Sequence, residues 1–129
     1  MAVREEVRTD RVPEPGSYAQ GVRCGDFLFT QGVNGYDPST GTVLGETIEE
    51  QTTQAMENLK DILAAAGLTM SNIVKTTVHL SQMRRDFLGF EREYRKWFDP
   101  PYPARTTVNS GLWLDNYLVE IDAVAYAGD

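Results

Sequence analysis

The chain has 129 residues, 41% hydrophobic and 24% charged, an ordinary balance for a globular protein with enough material for one core. Twelve basic against nineteen acidic side chains leave a net charge of −7, which argues against a nucleic-acid backbone as partner. One cysteine (Cys24) and one histidine (His79) exclude an internal disulfide and argue against a thiolate or imidazole metal site.

No apolar run reaches membrane-spanning length, and the polar opening Met1-Ala2-Val3-Arg4-Glu5-Glu6 lacks a signal-peptide pattern, so the expected setting is cytoplasmic. A single domain over residues 1–129 is expected. Residues 3–9 form a weak, charged candidate strand. Residues 19–24 and 27–31 are stronger ones, and Gly25-Asp26 between them is a hairpin signal. Residues 32–41 are rich in turn formers and read as a loop.

Thr47-Ile48-Glu49-Glu50 fits a capping box, and Ala55, Leu59, Ile62 and Ala66 recur at helical spacing until Gly67 ends the helix. Residues 73–80 alternate as a strand, with Val74, Thr76, Val78 and Leu80 on one face and Ile73, Lys75, Thr77 and His79 on the other. A second helix over 86–98 carries the aromatic stripe Phe87, Phe90, Tyr94, Trp97 and Phe98, read as packing against a sheet. Strands near 104–108 and 117–126 close the chain.

The order βββαβαββ places two helices on one face of a six-stranded sheet. The last strand then gives the helices Val119, Ile121, Ala123 and Ala125. Its other face, with Leu118, Glu120, Asp122, Val124 and Tyr126, is half apolar and suited to burial against another copy of the chain.

Pro100-Pro101-Tyr102-Pro103 stiffens the approach to Arg105, whose planar fork matches a carboxylate. Glu120 lies inside the final apolar run. On neighbouring strands the two side chains would hold a small carboxylic acid and a water, or else form a structural ion pair; these residues alone leave both readings open.

The segments Gly16-Ser17-Tyr18-Ala19-Gln20, Phe27-Leu28-Phe29 with Gly32, Asp37-Pro38 with Thr40-Gly41, Gln51-Thr52 with Glu57-Asn58-Leu59, and Val74-Lys75-Thr76-Thr77-Val78 follow in order. With Pro101-Tyr102-Pro103-Ala104-Arg105-Thr106-Thr107-Val108 and Leu118-Val119-Glu120-Ile121, they make the sequence resemble the RidA (YjgF) family of enamine/imine deaminases through nearly its whole length. The resemblance implies a chorismate-mutase-like α+β fold and a homotrimer with clefts between subunits. It also implies cofactor-free, metal-free hydrolysis of 2-imino carboxylates such as 2-iminopropanoate to 2-ketoacids and ammonia. Arg105 would grip the substrate carboxylate and Glu120 would hold a water. Tyr18 would line the cleft, and backbone near Gly32 and Thr107 would contact the ligand.

Three features depart from the family pattern: Gln31-Gly32-Val33 where serine-glycine-glutamine is common, Thr107 where cysteine is frequent, and Glu91 where asparagine is usual. Glu91 reads as a solvated helix residue, with a place in the cleft as the alternative; Trp113 in the unusual loop Gly111-Leu112-Trp113-Leu114-Asp115-Asn116 is a further candidate at the cleft mouth. Cys24 reads as a structural thiol and His79 as a strand-face residue. Two other functions stay open: a pathway-specific deaminase of the 2-aminomuconate type, and a non-catalytic binder of small carboxylates.

Overall fold

The computed structural model describes residues 3–43 and 45–128; Met1, Ala2, Leu44 and Asp129 lie outside the described residues, and with them part of the polar opening read above. Three strands, β1 (Glu5–Val7), β2 (Gly21–Cys24) and β3 (Phe27–Thr30), lead to a two-stranded ribbon, β4 (Tyr36–Asp37) and β5 (Thr42–Val43). Helix α1 (Ile48–Ala65), strand β6 (Ile73–Leu80), helix α2 (Met83–Tyr94) and strands β7 (Ala104–Asn109) and β8 (Val119–Tyr126) follow. The main sheet has the order β1-β2-β3-β8-β6-β7. Among the described strands only β6 and β7 pair in parallel, α2 being the crossover between them. Both helices cover one face, so the expected α+β arrangement is present.

Helix α1 forms where its local signals place it. Thr47 Oγ1 accepts from the Glu50 N–H at 3.2 Å, and the Glu50 carboxylate accepts from the Thr47 N–H at 3.4 Å. The Thr47 hydroxyl, donating to the Glu50 carboxylate at 2.9 Å, and then the Thr47 N–H hold that carboxyl below its ordinary pKa. Gly67, at φ +75°, adopts the left-handed conformation that stops the helix. Leu59, Ile62 and Leu63 are fully buried against Leu28, Val78 and Ile121, each worth roughly 1.5–3 kcal/mol of apolar transfer. At Gly89 of α2 a Cβ would stand 2.7 Å from Glu49 Oε2 and 2.8 Å from Ile48 Cγ2, so the missing side chain sets the close approach of the helices.

Several expectations are corrected. The segment read as a loop over 32–41 contains β4, and its β5 partner follows at Thr42–Val43. Strand β6 carries an irregularity between Ile73 and Lys75, which turns Ile73 into the core and leaves Val74 exposed, the reverse of strict alternation. Helix α2 starts at Met83, whose N–H donates to Asn109 Oδ1 at 3.0 Å; its cap comes from the far end of β7. It stops at Tyr94 and continues as a single 3-10 turn over Arg95–Trp97. Most important, β6 lies between β7 and β8, so Arg105 and Glu120 are not on neighbouring strands.

The sheet face away from the helices exposes Phe27, Phe29, Val74 and Tyr126, with the Phe27 and Tyr126 rings 5.2 Å apart. Among the described residues no helix is long and apolar enough to cross a membrane.

Candidate functional site

The register of β6 fixes the relation between the two principal candidates. Arg105 is level with Thr76 and Glu120 with His79, three residues further along. Three is an odd number, so the side chains lie on opposite faces, separated by roughly 10 Å along the strands and two strand spacings across them. Thr76 is buried and hydrogen-bonded to the Tyr94 hydroxyl of α2, which identifies the Arg105 face as the helix side. One small ligand cannot bridge Arg105 and Glu120 within a single chain. They do not form the structural ion pair considered from sequence either.

Arg105 instead pairs with Glu91, Nη1 donating to Oε1 at 2.7 Å. Its guanidinium carbon lies 4.9 Å from the ring centre of Tyr94, 5.5 Å from that of Phe90 and 5.8 Å from that of Phe87. The aromatic stripe of α2 therefore packs the helix and also cradles the cation. Glu91 is not the solvated surface glutamate expected from sequence. Tyr94 is pushed above its ordinary pKa chiefly by burial, against the opposing hydrogen bond from Thr76 and the nearby Arg105 charge. Glu91, Tyr94, Arg95, Tyr102, Pro103 and Arg105 line a cleft of about 320 Å³. Thr107, level with Val78, is on the same sheet face as Arg105.

Glu120 faces a separate cleft of about 340 Å³ that it shares with Tyr18, Gly32, Asn34, Trp113 and Tyr117. This cleft gathers three of the other candidates, Tyr18, Gly32 and Trp113, and excludes Arg105, Glu91 and Thr107. Its floor follows from a local misfit between β3 and β8. Phe29 pairs with Val124 and Val33 with Ile121, so four steps on one strand oppose three on the other. The Ala123 N–H inside the mismatch donates to Thr30 Oγ1 at 3.0 Å. Gly32 lies in the bulged stretch, directly against Glu120. A Cβ at Gly32 would stand 2.7 Å from Glu120 Oε2 and 2.8 Å from its Cδ, so only glycine seats the carboxylate there.

No hydrogen-bond or ion-pair partner meets the Glu120 carboxylate among the described residues, and burial pushes its pKa above the ordinary 4.5. The neighbouring His79 pulls in the opposite direction and Asp122 adds to the rise. His79 itself sits beside Ser110, Nδ1 to Oγ at 2.9 Å. Burial likewise raises the Tyr117 hydroxyl.

Three residues that shape this cleft read as unremarkable polar positions in the sequence. Buried Gln20 accepts from the Thr9 N–H at 2.8 Å and donates to the Thr9, Val12 and Pro13 carbonyls, holding the segment that lines one wall. Buried Asn58 of α1 donates to the Asn34 and Tyr36 carbonyls at 2.9 and 2.8 Å. Buried Gln51 donates to the Asn116 carbonyl and accepts from the Leu118 N–H, tying down the loop with Trp113 and the entry to Glu120. Besides their place in the segments that carry the family resemblance, their sequence signal is a polar residue on an otherwise apolar helix stripe, for Gln51 and Asn58. Trp113 is 84% exposed and Tyr18 62%, so the outer wall of the cleft is open. Cys24 is exposed at the end of β2. Among the described residues no three His, Cys, Asp or Glu side chains converge in a way that could hold a metal ion.

A family model described as Endoribonuclease L-PSP matches residues 9–127. A RutC family protein of Pyrococcus horikoshii is 38% identical over 125 residues, spanning 96% of this chain and 98% of the relative. The mouse protein named 2-iminobutanoate/2-iminopropanoate deaminase is 35% identical over 127 residues, spanning 98% and 93%. The crystal structure of the Escherichia coli YjgF gene product superposes with a TM-score of 0.87 at 32% identity, covering 95% of this chain and 98% of that one. Sequence and fold agree over almost the full length of each partner, and the chain belongs to the RidA/YjgF family.

Proposed function

We propose that the protein hydrolyses 2-imino carboxylates, and their enamine tautomers, to 2-ketoacids and ammonia. The observation that carries this reading is the unpartnered, half-buried Glu120 carboxylate, seated on Gly32 and raised in pKa, at the edge of an open cleft. A carboxylate that is neither paired nor fully solvated gains by exchanging a proton with a neighbouring water or substrate. The deaminase name of the mouse relative and the preformed fork of Arg105 support the same chemistry.

The site is completed between copies, in a homotrimer. Arg105 and Glu120 occupy opposite sheet faces within one chain, and the apolar patch of Phe27, Phe29, Val74 and Tyr126 gives a second copy a surface to cover. Arg105 of one subunit holds the substrate carboxylate and the Glu120 cleft of its neighbour supplies water. Tyr18, Trp113 and backbone at Gly32 line that cleft, and backbone at Thr107 reaches the ligand from the Arg105 side.

Glu120 takes a proton from the water as its oxygen bonds to the iminium carbon. The resulting carbinolamine receives that proton on nitrogen, the C–N bond breaks, and ammonia leaves as the hydroxyl gives its own proton to the Glu120 carboxylate and becomes the ketone; the departing ammonia takes that proton away as ammonium. The imine is already electrophilic, so orientation and one proton shuttle suffice, without a cofactor. An endoribonuclease reading has less support, because the net charge of −7 repels a polyanion and one histidine cannot act as an acid–base pair.

The test is ammonia and 2-ketoacid release from 2-iminopropanoate generated in situ by an amino-acid oxidase, with sedimentation at micromolar concentration to fix the assembly. Acceleration over the spontaneous rate through many turnovers per subunit, by a trimer, is expected. A stable monomer, or no acceleration, sinks the proposal.

A further inference from the structure

Arg105 does not wait in the cleft as a free cation. One nitrogen, Nη1, is committed to Glu91 at 2.7 Å, the guanidinium lies among the rings of Tyr94, Phe90 and Phe87, and its Nε and Nη2 have no partner among the described residues. An incoming carboxylate can take that remaining edge in the two-bond geometry a guanidinium favours. The Glu91 carboxylate stays beside it. The side chains are only 22% and 33% exposed, so solvent screens the two anions from one another incompletely.

We infer that Glu91 is a specificity-determining residue: it lets Arg105 accept one carboxylate and repels a second anionic group, selecting 2-imino monocarboxylates over dicarboxylates. The inference rests on the binding role proposed above for Arg105 and names the substrate class that site takes. Arg95 also lines the cleft and would draw a second carboxylate, but it is exposed and water screens its charge. Glu91 touches the guanidinium itself, so its effect is the stronger. Its second oxygen, Oε2, has no hydrogen-bond partner among the described residues and is left to act on whatever substituent the ligand carries.

The experiment measures binding and turnover separately, on wild type, Glu91→Gln and Glu91→Asp. Calorimetry gives Kd for 2-oxobutanoate and 2-oxoglutarate, and coupled assays give kcat/KM for the corresponding imines generated in situ. Wild type should prefer the monocarboxylate by tenfold or more. Glu91→Gln is isosteric, keeps a hydrogen bond to Arg105 and removes only the charge. It should improve the dicarboxylate relative to the monocarboxylate at least tenfold, in Kd and in kcat/KM alike. Glu91→Asp keeps the charge and should retain the discrimination.

An unchanged ratio in Glu91→Gln, whatever happens to absolute rates, overturns the inference, as does a wild-type preference for 2-oxoglutarate that Arg95→Ala abolishes. Selective ketoacid binding without turnover would leave Glu91's role standing and defeat the hydrolytic reading. Turnover with no charge selectivity would do the opposite.

Discussion

The two halves of the candidate site are built in opposite ways. Around Arg105 the chain itself supplies a counter-charge and a mount, a carboxylate at 2.7 Å, a floor of aromatic rings and an approach stiffened by proline, and leaves Nε and Nη2 for a ligand. Around Glu120 no hydrogen bond or ion pair meets the charge among the described residues, and His79 offsets it only in part. The carboxylate is half-buried and raised in pKa, and its seat exists only because Gly32 has no side chain. A satisfied group is an anchor, and its geometry is set before a ligand arrives. An unsatisfied group stores reactivity, because a proton or a water improves its state. The division matches the division of labour in imine hydrolysis, where the carboxylate of the substrate must be held and the water must be worked on.

Removing the charge at Glu120 should have the largest effect on rate. Glu120→Gln keeps shape but eliminates the proton shuttle, and loss of a positioned acid–base group typically lowers kcat about a hundredfold or more. The fold should not suffer, since burial already disfavours the charged form. Thermal unfolding at neutral pH should show a Tm equal to or above that of wild type. On the other half, Arg105→Lys keeps the charge but loses the fork and the stacking on Tyr94. Charge-assisted hydrogen bonds of this kind are worth about 1.5–3 kcal/mol, so kcat/KM should fall roughly ten- to a hundredfold, through capture and not through kcat. If both variants lose stability with no selective loss of activity, the contrast between anchor and reactive group is wrong.

The seat and its supports come next. Gly32→Ala places a methyl where Glu120 Oε2 now lies, and the carboxylate must swing away. Misplacement by about 1 Å can cost up to a hundredfold, so kcat should drop at least about tenfold, with ketoacid affinity on the Arg105 side retained. Asn58→Ala removes the donor to the Asn34 and Tyr36 carbonyls. Leaving buried acceptors without a partner costs about 1–3 kcal/mol. Denaturant titration should show that loss, and the cleft lined by Asn34 and Tyr36 should lose activity while the Arg105 cluster keeps its geometry.

What the sequence disclosed follows how local each signal is. The start and stop of α1 are written within a few residues, in Thr47, Glu50 and Gly67, and the structure keeps all three. The hairpin at Gly25-Asp26 is equally local. Strand β6 was legible in extent, but the irregularity after Ile73 is decided by its partner Ala125, and alternation misassigns Ile73 and Val74. The start of α2 was hidden because its cap, Asn109, is 26 residues away. The separation of Arg105 from Glu120 was hidden for a related reason. Nothing in either strand states that β6 inserts between them, and the contact of Arg105 with Glu91 depends on how the crossover helix lies on the sheet. Gln20, Gln51 and Asn58 look like surface amides until the loops they hold are in place.

The smallest expected effect concerns the tuning of Glu120, and it asks whether the reactive half is set by burial or by its neighbours. Burial is the leading cause of its raised pKa; His79, its cross-strand partner, lowers it, and Asp122, two residues along β8, raises it. Glu120 acts as a base only when ionised, so the acid limb of kcat should fall above the ordinary 4.5. Asp122→Asn removes a repelling anion, which lets Glu120 ionise at lower pH and moves the acid limb downward. His79→Gln removes the neighbour that lowers the Glu120 pKa, and should move the limb upward. The stability contribution has the linked sign. Because the folded pKa is raised, the stabilisation due to this group is complete below 4.5 and lost as pH rises through the folded pKa. Asp122→Asn should shift that loss to lower pH as well. Both displacements should be small beside the elevation due to burial. Profiles of kcat against pH for the three proteins, with urea midpoints over the same range, check the directions. Limbs that coincide, or that move together, would mean that the titrating base is not Glu120.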